Sequence, residues 1–342
     1  MSTQYFHYDQ PFKLECGETL PGLTIAYHTY GHPNTDGSNT VWVCHALTAN
    51  SNASEWWPGV IGDHGIIKPA NYYIICANIL GSCYGTTGPA SINPANDQPW
   101  YDDFPLITIR DMVRAHILLR EHLGIEKIHL LMGGSMGGYQ ALEWCVMEKE
   151  RIENLFLLAT SPAESAWGIA IHAAQRLAIE ADISWKEHKP KAGHKGMKAA
   201  RAIGMLTYRN YGIMVAKQSD SDHDKLDNYR AASYIEYQGE KLANRFHAYT
   251  YWLLTKAMDT HHLARDRGGE LVNVLRGISQ RTLIVGITSD ILCPMHEQIF
   301  LDQHIPGSVM VEIDSAYGHD GFMVEADKIG AVLKTWLPIK GR

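Results

Sequence analysis

A glycine-flanked serine, Ser135, lies where a strand-like run of this chain passes directly into a helical run. Residues 130–138 read Leu-Leu-Met-Gly-Gly-Ser-Met-Gly-Gly and contain the pattern G-x-S-x-G, in which x is any residue. The apolar residues before it predict a strand at 127–132, and those after it predict a helix at 139–147. A serine on such a tight turn has a strained backbone that exposes its hydroxyl. Ser135 is therefore the candidate nucleophile.

The neighbours of Ser135 have predictable roles in this turn. Gly133 and Gly137 are required because a Cβ at either position would clash where the strand and the helix cross. The amide of Met136 lies at the start of the helix, where the helix dipole favours negative charge. Met136 is therefore the predicted first donor of an oxyanion hole, the pair of amides that stabilises a tetrahedral oxyanion.

The composition is typical of a globular enzyme and argues against several other classes. Of the 342 residues, 45% are hydrophobic and 20% are charged, and the formal net charge is −7. No basic stripe is present, and the one locally basic run, residues 186–198, also contains Glu187, so we expect no nucleic-acid partner. The first twelve residues lack the apolar core of a secretory signal, and no apolar run approaches membrane-spanning length. We therefore expect no membrane association.

The six cysteines indicate a reducing compartment. None forms a C-x-x-C pair, and several fall in apolar strand-like runs, so we interpret them as reduced, mostly buried thiols of a cytoplasmic protein. Cys83 and Cys293 fall in predicted loops, where packing is the preferred interpretation. The histidines show no H-E-x-x-H or comparable spacing, and we expect no metal.

The order of the predicted elements indicates an α/β fold. Helices at 111–123 and 321–337 accompany strands at 23–30, 40–44, 72–78, 127–132, 155–159, 281–286 and 309–313. This alternation predicts a mostly parallel sheet with helices on both faces. Only long helical patterns occur between 161 and 275, at 163–183, 196–208 and 229–258. The sequence thus predicts a core of residues 1–160 and 276–342 and an inserted helical lid of residues 161–275 over the strand ends.

A serine nucleophile needs a base, and the base needs an orienting carboxylate. With this kind of turn the chain order is nucleophile, acid, histidine. Asp290 follows the strand at 281–286, and an acid just past the carboxyl end of a parallel strand lies at the active edge of the sheet. His319 lies in a glycine-flanked loop after the next strand. We therefore predict a triad of Ser135, Asp290 and His319, the alternatives being an ordinary turn aspartate and a surface histidine.

The second oxyanion donor is expected in the loop after an early strand. The apolar strand at 40–44 ends in His-Ala-Leu-Thr, residues 45–48. We predict the Leu47 amide as the donor. His45 is interpreted as a packed loop residue rather than a second base.

Together these residues resemble the homoserine O-acetyltransferase family, acyltransferases with the α/β-hydrolase fold. The similar segments span nearly the whole chain and follow one another in the family's order. This set is much more specific than a lone G-x-S-x-G, which any esterase could have. Besides the serine turn, the matching segments are residues 45–48 (HALT), 81–89 (GSCYGTTGP), 91–94 (SINP), 103–105 (DFP), 108–113 (TIRDMV), 140–144 (QALEW), 207–209 (TYR), 237–241 (YQGEK), 254–259 (LTKAMD) and 317–320 (YGHD).

The resemblance implies an acyl transfer in two steps, as part of methionine biosynthesis. Ser135 would take an acetyl group from acetyl-CoA with His319 as base, and the hydroxyl of L-homoserine would then accept it. Arg209 in the lid would pair with the homoserine carboxylate, and Asp320 would hold its ammonium. Acetyl-CoA would be a co-substrate, with no metal or bound cofactor, and the lid helices would form the contact of a homodimer.

The chain departs from the family pattern near the acceptor. Residues 96–101 differ from the usual turn, and His261, His262 and Asp266 depart from the usual lid pattern. Some members have a tyrosine seven residues after the lid arginine, where this chain has Ala216, and Tyr211 and Tyr229 are the candidate replacements.

Four other functions remain open from the sequence. Two lie within the same chemistry, namely succinyl transfer and serine as the acceptor. A plain esterase needs only the triad and admits water. A non-catalytic binding protein is the fourth, and the intact Ser135, Asp290 and His319 argue against it.

Overall fold

The computed structural model describes residues 2–337. Its strands are β1 (Gln4–Tyr8), β2 (Phe12–Lys13), β3 (Thr19–Leu20), β4 (Leu23–Tyr30), β5 (Thr40–Cys44), β6 (Tyr73–Ala77), β7 (Ile92–Asn93), β8 (Gln98–Pro99), β9 (Ile128–Gly134), β10 (Ile152–Leu158), β11 (Arg281–Ile287) and β12 (Val309–Ile313). Its α-helices are α1 (Ala53–Trp56), α2 (Ile109–His122), α3 (Met136–Met147), α4 (Ala166–Glu180), α5 (His194–Tyr208), α6 (Tyr211–Gln218), α7 (Arg230–Ala243), α8 (Ala248–Asp259), α9 (Leu271–Arg276), α10 (Met295–His304), α11 (Gly321–Val324) and α12 (Ala326–Trp336).

One large sheet organises the chain. Its strand order is β1-β4-β6-β5-β9-β10-β11-β12. The pairs β1–β4 and β4–β6 are antiparallel, and the five remaining pairs are parallel. The carboxyl ends of β5, β9, β10, β11 and β12 therefore share one edge of the sheet. The predicted mostly parallel sheet is confirmed.

Helices cover both faces of this sheet, because its central strands are apolar on both sides. All seven residues of β9 are buried. Successive side chains of a strand point to opposite faces: Leu131 packs in the cluster that includes α2 and α3, whereas Leu130 and Met132 pack in the cluster that includes α1 and α12. Burial on both faces fixes the register of β9 in the middle of the sheet.

Several predicted bounds agree with the structure, and two predicted helices are wrong. The strands β4, β5 and β12 have the predicted bounds. The helix predicted at 229–258 is two helices, α7 and α8, separated by residues 244–247, where the chain turns and Phe246 enters the core with only 2% of its surface exposed. The helix predicted at 321–337 is likewise divided into α11 and α12 at Glu325, whose ψ of 40° is not helical.

The helices α4 to α9 lie between β10 and β11, as the lid prediction requires. An antiparallel bridge between Ala163 and His262 is the one β pairing that the structure describes within residues 161–275. Beside it, the Glu164 amide donates to His261 O at 2.8 Å, and the Leu263 amide donates to Pro162 O at 2.9 Å. These two hydrogen bonds form a neck that holds the two ends of residues 163–262 together. The division of the chain at 160 and 276 stays a prediction, and residues 338–342 lie outside the described part.

The segment that follows the neck is anchored on the helix after the serine turn. Glu143 of α3 accepts hydrogen bonds from Arg110 Nε at 2.7 Å and from Arg267 Nη1 at 2.9 Å. Arg110 also donates to Arg265 O at 2.9 Å. Burial alone would raise the pKa of Glu143, but the two guanidinium groups hold the pKa below its usual value. The ionised Glu143 thus ties the returning chain to α3.

The contact between β9 and α3 leaves no space for side chains at its glycines. A Cβ on Gly133 would lie 2.2 Å from Gly137 O, and a Cβ on Gly137 would lie 2.1 Å from Cys44 O. Both obstacles are backbone atoms of buried elements, which cannot move aside like a flexible side chain. The requirement for glycine at these positions has a direct steric cause.

We expect Gly137→Ala to destabilise the protein by about 3 kcal/mol or more, since relieving the overlap must displace β5 or α3. Thermal and urea unfolding, followed by circular dichroism, measure the change. Gly212→Ala is the matched control, because Gly212 is exposed in α6 and the nearest atom to an added Cβ is a side-chain oxygen at 3.1 Å. A Gly137→Ala variant as stable as the control would contradict this steric account.

Candidate active site

Ser135 occupies a sharp turn between β9 and α3. Its φ of 55° and ψ of −130° lie in a region that serine rarely adopts, at a cost on the order of 1–3 kcal/mol. The surrounding backbone holds it there: the Ser135 amide donates to Leu158 O at 3.0 Å, and Thr160 Oγ1 donates to Ser135 O at 2.9 Å. Both partners belong to β10 or the residues just after it. The neighbouring strand therefore fixes the orientation of the serine.

The structure brings the three predicted triad residues into one hydrogen-bonded chain. His319 Nε2 lies 2.8 Å from Ser135 Oγ, and His319 Nδ1 lies 2.7 Å from Asp290 Oδ2. An ionised carboxylate only accepts hydrogen bonds, so Nδ1 must carry the proton. Nε2 then has a free lone pair and accepts the hydroxyl hydrogen of Ser135. This is the arrangement needed for removing that proton.

Asp290 is held in place by its other oxygen. Oδ1 accepts from the amides of Leu292, at 2.8 Å, and Cys293, at 3.0 Å, in the loop after β11. The carboxyl group therefore cannot rotate away from His319 without losing two hydrogen bonds. Cys293 Sγ also approaches Asp290 and His319, and their potential ligand atoms lie within 4.8 Å of one another. Burial raises the pKa of Cys293, and Asp290 and His319 already bind each other, so this cluster is better explained as the triad than as a metal centre.

The charge of Asp290 sets the protonation of the base. Burial alone would lower the pKa of His319, but the attraction of the Asp290 carboxylate and its hydrogen bond outweigh this effect. The pKa of His319 is therefore raised above the ordinary value of 6.5. A raised pKa makes the imidazole a stronger base and stabilises the imidazolium that forms during the reaction.

The two predicted oxyanion donors have free amides. Leu47 lines the cavity that contains Ser135 and His319, and Met136 is the first residue of α3. Within residues 2–337, neither backbone N–H has a hydrogen-bond acceptor in the protein. The close approach of Gly137 to Cys44 O brings the start of α3 against the end of β5, where the loop of Leu47 begins. Their role as oxyanion donors stays a prediction that this arrangement supports.

His45, in the same loop, is a packed residue. It is buried, its Nε2 accepts from the Ile79 amide at 3.2 Å, and its Nδ1 donates to Ala46 O at 2.9 Å. Burial lowers the pKa of His45 to about 4, although the Ala46 carbonyl opposes the shift. A neutral histidine with both nitrogens engaged is not a second base.

A cavity of about 70 Å³ opens over Ser135 and is closed on one side by the lid. Asp320 lines it. Arg209 is not among the described residues that line it: its Nη1 lies 3.1 Å from Asp320 Oδ2, and its Nε donates to the hydroxyl of Tyr234 at 3.2 Å. The two predicted acceptor residues are therefore paired with each other.

The tyrosine that accompanies Arg209 is not one of the two sequence candidates. Tyr211 is 83% exposed, and Tyr229 is 46% exposed with its hydroxyl donating to Lys225 O. Tyr234, on α7, contacts Arg209 instead. Tyr234 is 25 residues from Arg209 in the chain, so only the packing of the lid helices reveals this partner.

Sequence reasoning also missed the lid residues that line the cavity. They are Ile171, His172, Gln175, Arg201, Thr207, Tyr208 and Met258. Arg201, Gly204 and Tyr208 are spaced by three and four residues and so share one face of α5. In the sequence, the one indication that this face lines a polar site is its single arginine among largely apolar residues.

Comparisons with known proteins give the fold and the relatives of this chain. The family model described as the α/β hydrolase fold matches residues 39–326. The homoserine O-acetyltransferase of Cyclobacterium marinum is 44% identical over 336 residues, which are 98% of this chain and 95% of the relative.

Solved structures extend the comparison to the fold. A homoserine O-acetyltransferase from Bacillus anthracis matches with a TM-score of 0.90 at 23% identity, covering 100% of this chain and 98% of its own. The acetyl esterase MekB matches with a TM-score of 0.88 at 22% identity, covering 98% and 97%. At these identities the structural matches show the fold alone. No helix within residues 2–337 is both long enough and apolar enough to cross a bilayer.

We expect Asp290→Asn to slow acylation of Ser135 by on the order of 10³–10⁴-fold. The asparagine oxygen would keep the two amide hydrogen bonds of Leu292 and Cys293, so its NH₂ group would face His319 Nδ1. The imidazole proton would then move to Nε2, which could no longer accept from the serine. Stopped-flow acylation by p-nitrophenyl acetate measures the rate, and Asp327→Asn, an exposed site, is the control. A loss below tenfold in a folded variant would refute the assigned role of Asp290.

The same reaction should depend on pH through His319. Because the base acts only when neutral, and its pKa is raised, acylation should increase with pH through a midpoint above 6.5. Below that midpoint the imidazolium cannot accept the serine proton. A rate profile from pH 5 to 9 tests this expectation. A midpoint at or below 6.5 would show that Asp290 does not dominate the environment of the base.

Proposed function

The chain belongs to the homoserine O-acetyltransferase family of the α/β-hydrolase fold, and from this premise we propose that it transfers an acetyl group from acetyl-CoA to the hydroxyl of L-homoserine. The observation that carries the proposal is the chain of hydrogen bonds from Asp290 through His319 to Ser135. Ser135 and His319 line a cavity under the lid. This arrangement supports a serine that carries the acetyl group between the two substrates. The product of this transfer, O-acetylhomoserine, belongs to methionine biosynthesis.

In the first half-reaction, Ser135 Oγ attacks the carbonyl carbon of the thioester while His319 Nε2 takes the hydroxyl proton. The carbonyl oxygen becomes an oxyanion that the amides of Leu47 and Met136 stabilise. Each such donor contributes on the order of 3 kcal/mol to the transition state in comparable sites. The C–S bond then breaks, the sulfur receives the proton from His319, and CoA leaves as the free thiol.

In the second half-reaction, the homoserine hydroxyl attacks the acetyl-serine. His319 Nε2 takes the proton of the attacking hydroxyl, and the same two amides stabilise the second oxyanion. The bond to Ser135 Oγ breaks, the serine regains the proton from His319, and O-acetylhomoserine leaves. The two half-reactions require no oxidant, reductant or metal. We propose that acetyl-CoA is a co-substrate and that no cofactor is bound.

The acceptor is a zwitterion and needs groups of both charges. Asp320 follows His319 directly and lines the cavity, so it is the proposed partner of the ammonium. Arg209 is the proposed partner of the carboxylate by the family resemblance. Since its Nη1 and Nε already bind Asp320 and Tyr234, Arg209 also orients Asp320.

Water competes with the acceptor for the acetyl-serine. Ser135 is only 8% exposed and His319 only 3%, which supports transfer over hydrolysis because the lid restricts solvent at the site. The fold does not separate the two activities, since an acetyl esterase shares it. Hydrolysis of an acyl ester is therefore the alternative function, and succinyl transfer differs only in the acyl group.

We further propose a cytoplasmic homodimer. Acetyl-CoA is a cytoplasmic metabolite, and the cysteines of residues 2–337 are all free thiols. Large apolar side chains are exposed on the lid, which supports a dimer contact there; they include Leu177, Leu206, Tyr211, Leu226 and Tyr237. No nucleic-acid or membrane partner is proposed.

Release of CoA separates these functions. With acetyl-CoA and homoserine, a thiol reagent should detect continuous CoA release that depends on homoserine, and succinyl-CoA or serine should support much less. Ser135→Ala should reduce release by on the order of 10⁶-fold, as removal of a catalytic serine does in comparable enzymes. The control is Ser221→Ala, in an exposed segment of the lid.

Each of the other outcomes of this assay would indicate a different function. Equal release with and without homoserine would indicate an esterase. Faster release from succinyl-CoA would identify the succinyl transferase. No release from any thioester, with binding retained, would indicate a non-catalytic protein and overturn the proposal.

A further inference from the structure

A fully buried glutamine, Gln298 of α10, joins two segments that hold catalytic residues. The side chain is 0% exposed. Its Nε2 donates to Thr160 O at 2.6 Å and to Cys293 O at 3.4 Å, and its Oε1 accepts from the Thr160 amide at 3.4 Å. The amide group can be buried because its donor nitrogen and its acceptor oxygen are both engaged, and all three partners are backbone groups.

These hydrogen bonds continue the sheet where β10 and β11 separate. Just after the end of β10, the amide of Ala159 still donates to Val285 O in β11 at 2.9 Å. At the next residue, Thr160, the side-chain amide of Gln298 binds both backbone groups in place of a strand. A Cβ on Gly286 would lie 3.1 Å from Gln298 Cγ, so the glycine in β11 makes room for this side chain.

Thr160 transmits the restraint to the nucleophile. Its Oγ1 donates to Ser135 O at 2.9 Å, and it lies so close to α3 that a Cβ on Gly138 would be 2.3 Å from this oxygen. The residue before it, Ala159, has a φ of 46°, in the left-handed region. Ala159 and Ser135 are thus both strained, and such strain persists only where neighbouring contacts fix the backbone. Gln298 provides two of these contacts at Thr160.

Cys293 transmits the restraint to the acid. Its carbonyl accepts from Gln298 Nε2, and its amide donates to Asp290 Oδ1 at 3.0 Å. The other oxygen of Asp290, Oδ2, binds His319. A displacement of Cys293 would therefore rotate the carboxylate that orients the imidazole.

We propose that Gln298 is a positioning residue of the triad, which holds the nucleophile through Thr160 and the acid through Cys293 with one side-chain amide. Gln298 is not among the described residues that line the cavity, so it acts only through these neighbours. The inference rests on the proposed function in that Ser135 carries the acyl group, and it applies to any acceptor. A misplacement on the order of 1 Å can cost about 100-fold in rate, and a rigid bridge between the two segments limits that error.

The test removes the amide and keeps the length of the side chain. The variant is Gln298→Met, and the matched control is Gln280→Met. Gln280 is also a buried glutamine, 5% exposed, and its Nε2 donates to a backbone carbonyl, Lys149 O, at 2.7 Å. It directly precedes β11, at the opposite end of this strand from Asp290. Stopped-flow acylation by p-nitrophenyl acetate gives the rate, and the burst of p-nitrophenol counts the active sites, so unfolded protein does not enter the rate.

We expect Gln298→Met to lower the acylation rate per active site by about 10- to 100-fold. Transfer to homoserine should slow by a similar factor, because both half-reactions use the same three residues. The KM values for acetyl-CoA and homoserine should change little. Gln280→Met should keep the rate of the unaltered protein. Gln298→Asn, whose amide is one methylene too short to reach both partners, should show the same loss and replaces the methionine variant if that variant does not fold.

Two further measurements separate positioning from packing. In a double-mutant cycle, Thr160→Val removes the hydroxyl that binds the serine backbone. If Gln298 acts through Thr160, the two losses in rate should combine to less than their product. In the proton NMR spectrum, the low-field resonance of His319 Nδ1–H reports its hydrogen bond to Asp290. This resonance should move to higher field in Gln298→Met and stay in place in the control variant.

Each contrary result contradicts a separate part of the proposal. An acylation rate per active site equal to that of the control would show that Gln298 only packs. Losses that multiply in the double variant would show that it does not act through Thr160, and an unmoved His319 resonance would refute the link to the acid. A raised KM with unchanged kcat would place Gln298 in substrate binding instead. If the unaltered protein gives neither a burst of p-nitrophenol nor release of CoA, the proposed function itself fails, whatever the variants show.

Discussion

The close contact between β9 and α3 is the constraint on which the rest of the site depends. Gly133 and Gly137 allow the backbones to meet, and the turn between them forces Ser135 into a left-handed conformation. Its amide donates to Leu158 O and its carbonyl accepts from Thr160 Oγ1, and these hydrogen bonds hold that conformation in the middle of the sheet. The hydroxyl then faces the edge at which the following strands end. The strain is local, whereas the restraint comes from the entire sheet.

The parallel sheet explains why three residues distant in sequence meet. β11 and β12 end at the same edge as β9, and the loops after them carry Asp290 and His319. These positions were predictable from the sequence because the strands before them are short, mostly apolar runs with clear ends. A polar residue in the short loop after such a run lies near the edge at which the strand ends. For the same reason the bounds of β5 and β12 were predicted correctly.

Other features depend on contacts that no local pattern encodes. The break between α7 and α8 follows from the burial of Phe246, and an uninterrupted helical pattern conceals it. Tyr234 reaches Arg209 only because α7 packs beside α5. The buried Nε of Arg201 has no hydrogen-bond partner within residues 2–337, which becomes visible only when its described neighbours are known. Sequence periodicity identifies the buried face of a helix, but not the side chain that it meets.

The neck of the lid has a consequence for how this chain can change. The bridge between Ala163 and His262 closes residues 163–262 into a loop whose ends are fixed by main-chain hydrogen bonds, regardless of the side chains inside. The entropy of closing such a loop grows only with the logarithm of its length, about 0.6 kcal/mol for each doubling. Insertions and exchanges of helices beyond the neck are therefore inexpensive. Specificity for a new acceptor can therefore evolve through changes in this loop, while the nucleophile, acid and base stay the same.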